Sequence, residues 1–118
     1  MATANVMLSV RGQEVAAALW EFYVIVNVYD FQLKEWRRSK AGEAEVRLIE
    51  EHWGILPDKL LDTKVTGSNG DVRFGSGGQY PAGRYKVEAE HLTSHHASGV
   101  VGDATEAGQW SIIDIYEP

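Results

Sequence analysis

Four histidines, His52, His91, His95 and His96, are the side chains of this chain best suited to chemistry near neutral pH. Three of them fall in one short run, HLTSHH. On an extended strand His91 and His95 align by the period of two, while His96 points away. Two or three imidazoles with Glu88 or Asp103 could ligate zinc or copper. Acid–base catalysis is the other chemical use open to them. The spacing matches no strong metal signature, so polar residues at a strand exit are the favoured reading. We expect no metal and no other cofactor, and keep His91, His95 and His96 as candidate ligand-binding residues.

Other reactive patterns are weaker. Ser94, Ser98 and Ser111 lie near these histidines, but none sits in a G-x-S-x-G elbow. Asp30, Glu88 and Glu90 could pair as carboxylates, yet alternation puts the two glutamates on the solvent side of one strand. The run GSGG at Gly75–Gly78 lacks the Lys-Ser/Thr of a phosphate loop and reads as a hairpin tip or flexible lid. Trp20, Trp36, Trp53 and Trp110 fit core packing, with one or two open to stack on a sugar or a partner. Trp36, beside Arg37 and Arg38, is the least core-like, and Trp36 and Trp110 join the candidate ligand-binding residues.

The bulk composition narrows the class. A chain of 118 residues closes one core without staples, so a single domain over 1–118 is expected. Cysteine is absent, which excludes disulfides and thiolate metal sites. Eleven Lys and Arg against 17 Asp and Glu give a net charge of -6, which disfavours nucleic acid. The cluster Lys34, Arg37, Arg38 and Lys40 is flanked by Glu35 and Glu43 and reads as a solvated face. The apolar run from Val15 to Tyr29 is interrupted by Glu21 and Asn27, and is too short to span a membrane. The opening MATANVMLSVRG lacks the marks of a signal peptide, so a soluble cytoplasmic protein is expected, an exported origin staying open.

Periodicity then places the elements. Asn5 to Val10 predicts a first strand with Val6, Leu8 and Val10 on one face, broken at Arg11-Gly12. Val15 to Trp20 fits either a helical turn or a lead-in to the next strand. Tyr23 to Phe31 predicts a long strand, apolar on both faces, as for a covered central strand or one that meets a second subunit. From Ser39 to Trp53 the spacing of Ala44 with Leu48, and of Val46 with Ile49 and Trp53, predicts an amphipathic helix. Ser39 would be its N-cap, Gly54 its C′ residue, and Glu43 with Arg47 an i, i+4 pair. Leu61–Thr66 and Asp71–Phe74 about Asn69-Gly70 predict a hairpin. Arg84 to Glu90 alternates cleanly, Leu92 to Gln109 reads as a long loop, and Trp110 to Tyr116 closes the chain as a strand.

These short strands with Gly-rich turns predict an antiparallel β-sandwich with one inserted helix near 39–53. Thr66, Asn69, Gly70, Val72 and Phe74, followed by Pro81, Gly83, Tyr85 and Val87, sharpen that. The pattern resembles the prealbumin-like sandwiches, which include the transthyretin, hydroxyisourate hydrolase and carboxypeptidase-regulatory families. Arg11-Gly12 ahead of Val24-x-Val26-x-Val28-Tyr29, and Trp36 ahead of Leu60–Thr63, are similar to the transthyretin branch. The hydrolases of this group end in Tyr-Arg-Gly-Ser and carry strand histidines. This chain ends Ile115-Tyr116-Glu117-Pro118, with no His before His52. The resemblance therefore implies the fold and carries no catalytic residue across.

The function expected from these features is a non-enzymatic binding module. It would present loop 92–109 and a sheet face to a protein partner, a small-molecule ligand or a second subunit, with no nucleic acid and no membrane involved. A small hydrolase or cyclase with histidines in a loop-built cleft is the first alternative. A carbohydrate-binding module using exposed tryptophans is the second.

Overall fold

The computed structural model describes residues 6–52, 55–93, 97–104 and 112–117, the last two stretches through their backbone alone. Among these residues the chain forms ten strands and no helix. They are β1 (Val6–Ala16), β2 (Leu19–Asp30), β3 (Glu35–Arg38), β4 (Ala44–Glu50), β5 (Lys59–Val65), β6 (Asp71–Phe74), β7 (Tyr80–Pro81), β8 (Gly83–His91), β9 (Ala97–Ala104) and β10 (Ile112–Glu117). Two antiparallel sheets result. One runs β10–β1–β2–β3, with β6 and β7 also paired to β2, and the other runs β5–β4–β8–β9.

β2 is the spine of the first sheet. Its even positions, Trp20, Phe22, Val24, Val26 and Val28, are all buried. One edge pairs with β1 along most of its length. The other edge is shared end to end by β7 at Leu19–Trp20, β6 at Phe22–Ile25 and β3 at Asn27–Asp30. Val26 marks the seam: its N–H donates to the Gly70 carbonyl at 2.8 Å and its carbonyl accepts from the Ser39 N–H at 2.9 Å. No backbone group of the spine is left over at that gap, as a buried strand requires. The inward residues of both sheets join one cluster, with Val6, Leu8 and Val10 meeting Ala44, Val46, Leu48, Val87 and Ala89.

Residues 39–53 depart from the predicted helix. Ala44–Glu50 is a strand with β5 on one edge and β8 on the other. Ala44, Val46 and Leu48 are completely buried. The same residues satisfy periods of two and of nearly four, and two waiting strand edges decide in favour of two. Ser39 is no N-cap; its hydroxyl lies 3.0 Å from that of buried Thr66. Glu43 does not pair with Arg47, and Gly54 and Trp53 fall outside the described residues.

Other expectations are also met by different structure. Leu61–Thr66 and Asp71–Phe74 flank a real turn, closed by Gly67 N–H to Asp71 O at 3.0 Å, but they are no hairpin. β5 belongs to the second sheet and β6 to the first, so this turn is the corner where the chain changes sheets. Arg11-Gly12 does not break β1. A Cβ at Gly12 would stand 3.1 Å from the Phe22 ring, so the residue makes room for that ring in mid-strand. Of the two readings of Val15–Trp20 the helical turn fails and the lead-in to the next strand stands: β1 ends at Ala16, and β2 starts at Leu19 after Ala18 at φ 57°. The expected loop 92–109 also contains strand β9, paired with β8 from Gly83 to Glu90.

β5 forms an edge of its sheet, and it is blunted. Leu61 is the extra residue of a bulge, since Leu48 faces Asp62 and Ile49 faces Leu60. The Asp62 carboxylate accepts from the Thr63 N–H at 2.8 Å, and Lys59 and Lys64 lie along the strand. Bulges and edge lysines both discourage strand-to-strand addition.

Gly70 is the tightest point of the corner. It has φ +70°, and a Cβ there would stand 2.8 Å from both N and O of Ser39. Gly70→Ala therefore combines the positive-φ penalty with a backbone clash. It should lower unfolding free energy by about 2 kcal/mol or more in chemical denaturation. A change below about 0.5 kcal/mol would contradict this corner geometry.

Candidate functional site

One end of the molecule brings together Asp30, Arg37, Glu43 and His91. Glu43 precedes β4 and is mostly shielded from solvent. Arg37 of β3 donates to it twice, from Nη1 to Oε1 and from Nη2 to Oε2, each at 2.8 Å. The Lys40 N–H donates to Oε1 at 2.8 Å. His91, the last residue of β8, places Nε2 2.9 Å from Oε2. The carboxylate thus joins β3 of one sheet to β8 of the other across the end of the core. Arg37 beside it, followed by the Lys40 N–H and His91, holds its carboxyl at about 2 against the ordinary 4.5, despite partial burial working the other way. The Glu43 charges in turn raise the Arg37 guanidinium above its usual value.

Local sequence explains why these groups meet. Asp30 ends β2, and its Oδ1 accepts from the N–H groups of Gln32 (2.9 Å) and Leu33 (3.0 Å). An aspartate followed by such bonds fixes a tight reversal, here with Lys34 at φ 56°. The reversal returns β3 so that Trp36 faces Tyr29, while Arg37 swings its Nε to 3.5 Å from Asp30 Oδ2. Those bonds, led by the Leu33 N–H, hold the Asp30 carboxyl below its usual range. A continuous relay follows: hairpin tip, Asp30, Arg37, Glu43, His91.

The relay carries an aromatic group on the solvent side of the first sheet. Tyr29 is the middle ring, with Phe31 at 4.9 Å and 73° and Trp36 at 5.4 Å and 75°. Both contacts are edge-to-face, the favoured geometry for aromatic pairs. Phe31 is 39% exposed and Leu33 at the tip is 63% exposed. None of the three rings belongs to the core cluster.

The predicted candidates separate accordingly. Trp36 stands in this aromatic group. His91 is buried and lies within hydrogen-bonding distance of Glu43. His95, His96 and Trp110 lie outside the described residues, as do Ser94 and Ser111, and Ser98 is described by backbone alone. Glu88 and Glu90 meet Arg47 at 3.7 and 3.5 Å on the outer side of the second sheet. Arg38 donates to the Asn69 carbonyl at 3.0 Å, and with Arg37 in the relay the basic cluster is no uniform patch. GSGG forms a turn closed by Gly78 N–H to Gly75 O at 2.9 Å. Among the described residues no three His, Asp or Glu converge to hold a metal, and no helix is long and apolar enough to cross a membrane.

Sequence reasoning missed Tyr29, Phe31, Arg37 and Glu43 as parts of one site. The signal was the Asp30–Gln32–Leu33 turn, which sets the register that brings them together. A depression lined by Ser9, Arg11, Tyr23 and Ile25 opens on the same sheet face. Its volume of about 100 Å³ falls short of the several hundred usual for small-molecule sites. Tyr23 there donates to Asp71 at 2.7 Å, and Arg73 lies 4.8 Å over its ring.

The motif residues of the hairpin-like segments all work within the fold. Thr66 Oγ1 donates to the Lys40 carbonyl at 2.8 Å, and Val72, Phe74 and Val87 are core. The Tyr85 hydroxyl donates to the Pro81 carbonyl, tying the start of β8 to β7. Burial, with the Glu50 charge second, pushes that phenol up to about 12.

Protonation of Glu43 should loosen the relay. The folded carboxyl titrates near 2 and its ordinary value is 4.5, so its stabilisation is complete above 4.5 and fades as the pH falls towards 2. The difference corresponds to at most roughly 3 kcal/mol. Glu43→Gln should cost about 1–3 kcal/mol at neutral pH in urea unfolding, and flatten the stability profile across that acid window. Equal stability and an unchanged acid limb would refute the role of the carboxylate. Set against known family models, curated proteins and solved structures, the chain shows no significant match.

Proposed function

We propose that the chain is a non-enzymatic binding module whose recognition surface is the β2–β3 hairpin, and that its ligand is another protein. The observation that carries this reading is the trio Tyr29, Phe31 and Trp36, stacked outside the core and extended by exposed Leu33. Trp, Tyr and Arg are the residue types that dominate binding energy at protein interfaces. Rings at 73° and 75° form a ridge, which suits insertion into an apolar cleft better than laying sugar rings on one plane. Gln32, Lys34 and Glu35 around the ridge supply the polar rim such a contact needs.

The surface differs from the one read in the sequence. Residues 97–104 pair with β8, which favours the hairpin over loop 92–109 as the recognition surface. Preorganisation supports it further, since the tip is held by Asp30 and the relay behind it, which lowers the ordering cost of association. The two facing sheets and the Thr66–Phe74 and Pro81–Val87 patterns support a prealbumin-like β-sandwich as the scaffold. The internal bonding of His91 and Glu43 favours binding over hydrolysis.

The test uses a photo-crosslinking amino acid at Leu33 in the producing cell. It should yield a discrete protein adduct. Once purified, that partner should bind Trp36→Ala about tenfold or more weakly than the parent chain, with Tyr29→Ala similar. Equal affinities would overturn the reading. Trp36-dependent quenching by a glycan would favour the carbohydrate alternative, and a self-adduct with concentration-dependent sedimentation would make the partner a second copy.

A further inference from the structure

The opposite end of the molecule carries a second device, on the connection between β4 and β5. Both ring nitrogens of His52 face acceptors: Nδ1 lies 2.8 Å from the Pro57 carbonyl and Nε2 lies 2.7 Å from Glu50 Oε1. A carbonyl oxygen only accepts, and an ionised carboxylate only accepts. Neutral imidazole has a single N–H and can satisfy one of them. The closed arrangement therefore requires the imidazolium, with a proton on each nitrogen. The His52 N–H donates in addition to Asp58 Oδ1 at 3.1 Å. Ring and backbone together tie the start of the connection to its end.

What the tie holds is the most exposed apolar stretch among the described residues. Ile55 is fully exposed at 101% and Leu56 is 64% exposed. Neither has a core position to anchor it. We propose that His52 is a proton-operated latch, which fixes the Ile55–Leu56 segment when charged and releases it on deprotonation.

The surrounding charges agree with that direction. Glu50 of β4 contacts the ring directly, and Glu51, one residue past the strand, is engaged by Arg84 of β8 at 3.1 Å. Asp58 adds a second carboxylate ahead of β5. Lys59 of β5 and Tyr85 of β8 stand opposite Glu50 in the register. Two acidic groups thus face the imidazole, against one nearby lysine. The Glu50 hydrogen bond first, then the Pro57 carbonyl, raise the imidazole above its ordinary 6.5. The latch is therefore closed below 6.5 and opens as the pH rises through the higher folded value. The device is independent of the hairpin surface and stands or falls separately from it.

Nuclear magnetic resonance on the full chain tests the latch. The His52 ring should titrate above 6.5, and the ¹H–¹⁵N heteronuclear NOE of Ile55 and Leu56 should fall with the same midpoint. Glu50→Gln should lower that midpoint. His52→Gln, with one amide donor group and no titration, should leave both NOE values low at every pH. A ring that titrates at or below 6.5 would overturn the proposal. So would Ile55 and Leu56 signals that stay unchanged while His52 titrates normally.

Discussion

A single carboxylate, that of Glu43, accepts from three parts of the chain that the apolar core alone does not fix. It accepts two bonds from Arg37 and one from Lys40, and lies within bonding distance of His91. Between the sheets the core supplies non-directional attraction, and the β-ladders supply order within each sheet. Neither specifies how the ends of β3 and β8 sit on one another. A charge with directional partners does, because a bidentate Arg–carboxylate pair tolerates little angular error. The same bonds explain why Arg37 and Glu43 can be largely withdrawn from water without leaving an unpaired charge.

The hairpin inherits its order from that contact. Asp30 sits between Arg37 and the backbone of the tip, so the position of Leu33 is tied through two side chains to Glu43. A hairpin bearing three aromatic rings away from the core would otherwise be a mobile apolar appendage. Anchored in this way it is held in one position. The contrast with the far end of the fold is physical: there Ile55 and Leu56 stand beside the proposed His52 latch, whose grip would vary with protonation, whereas the Glu43 carboxylate stays ionised near neutral pH.

Sequence alone revealed the strands with one unambiguous period. Tyr85, Val87 and Ala89 alternate with charged residues, and they are buried as that alternation requires. Val24, Val26 and Val28 are buried too, although the residues between them, Tyr23, Ile25 and Asn27, carry no charge to mark the outer face. The segment 44–50 did not, because AEVRLIE satisfies helical and strand spacing together, and only the edges of β5 and β8 select between them. The Asn69-Gly70 turn was legible, but its role as a corner between sheets depends on long-range pairing of β6 with β2, which no local signal carries. Glu43 and His91 were not readable as a pair, since 48 residues separate them.

Asp30, Arg37 and Glu43 are linked through the Arg37 guanidinium beside the aromatic hairpin. A double-mutant cycle between Asp30→Asn and Glu43→Gln, read by urea unfolding at neutral pH, measures this directly. The two carboxylates share Arg37 as partner, so the cycle should return a coupling energy of about 0.5 kcal/mol or more. Effects that add to within about 0.3 kcal/mol would show two independent surface contacts, and would contradict the relay.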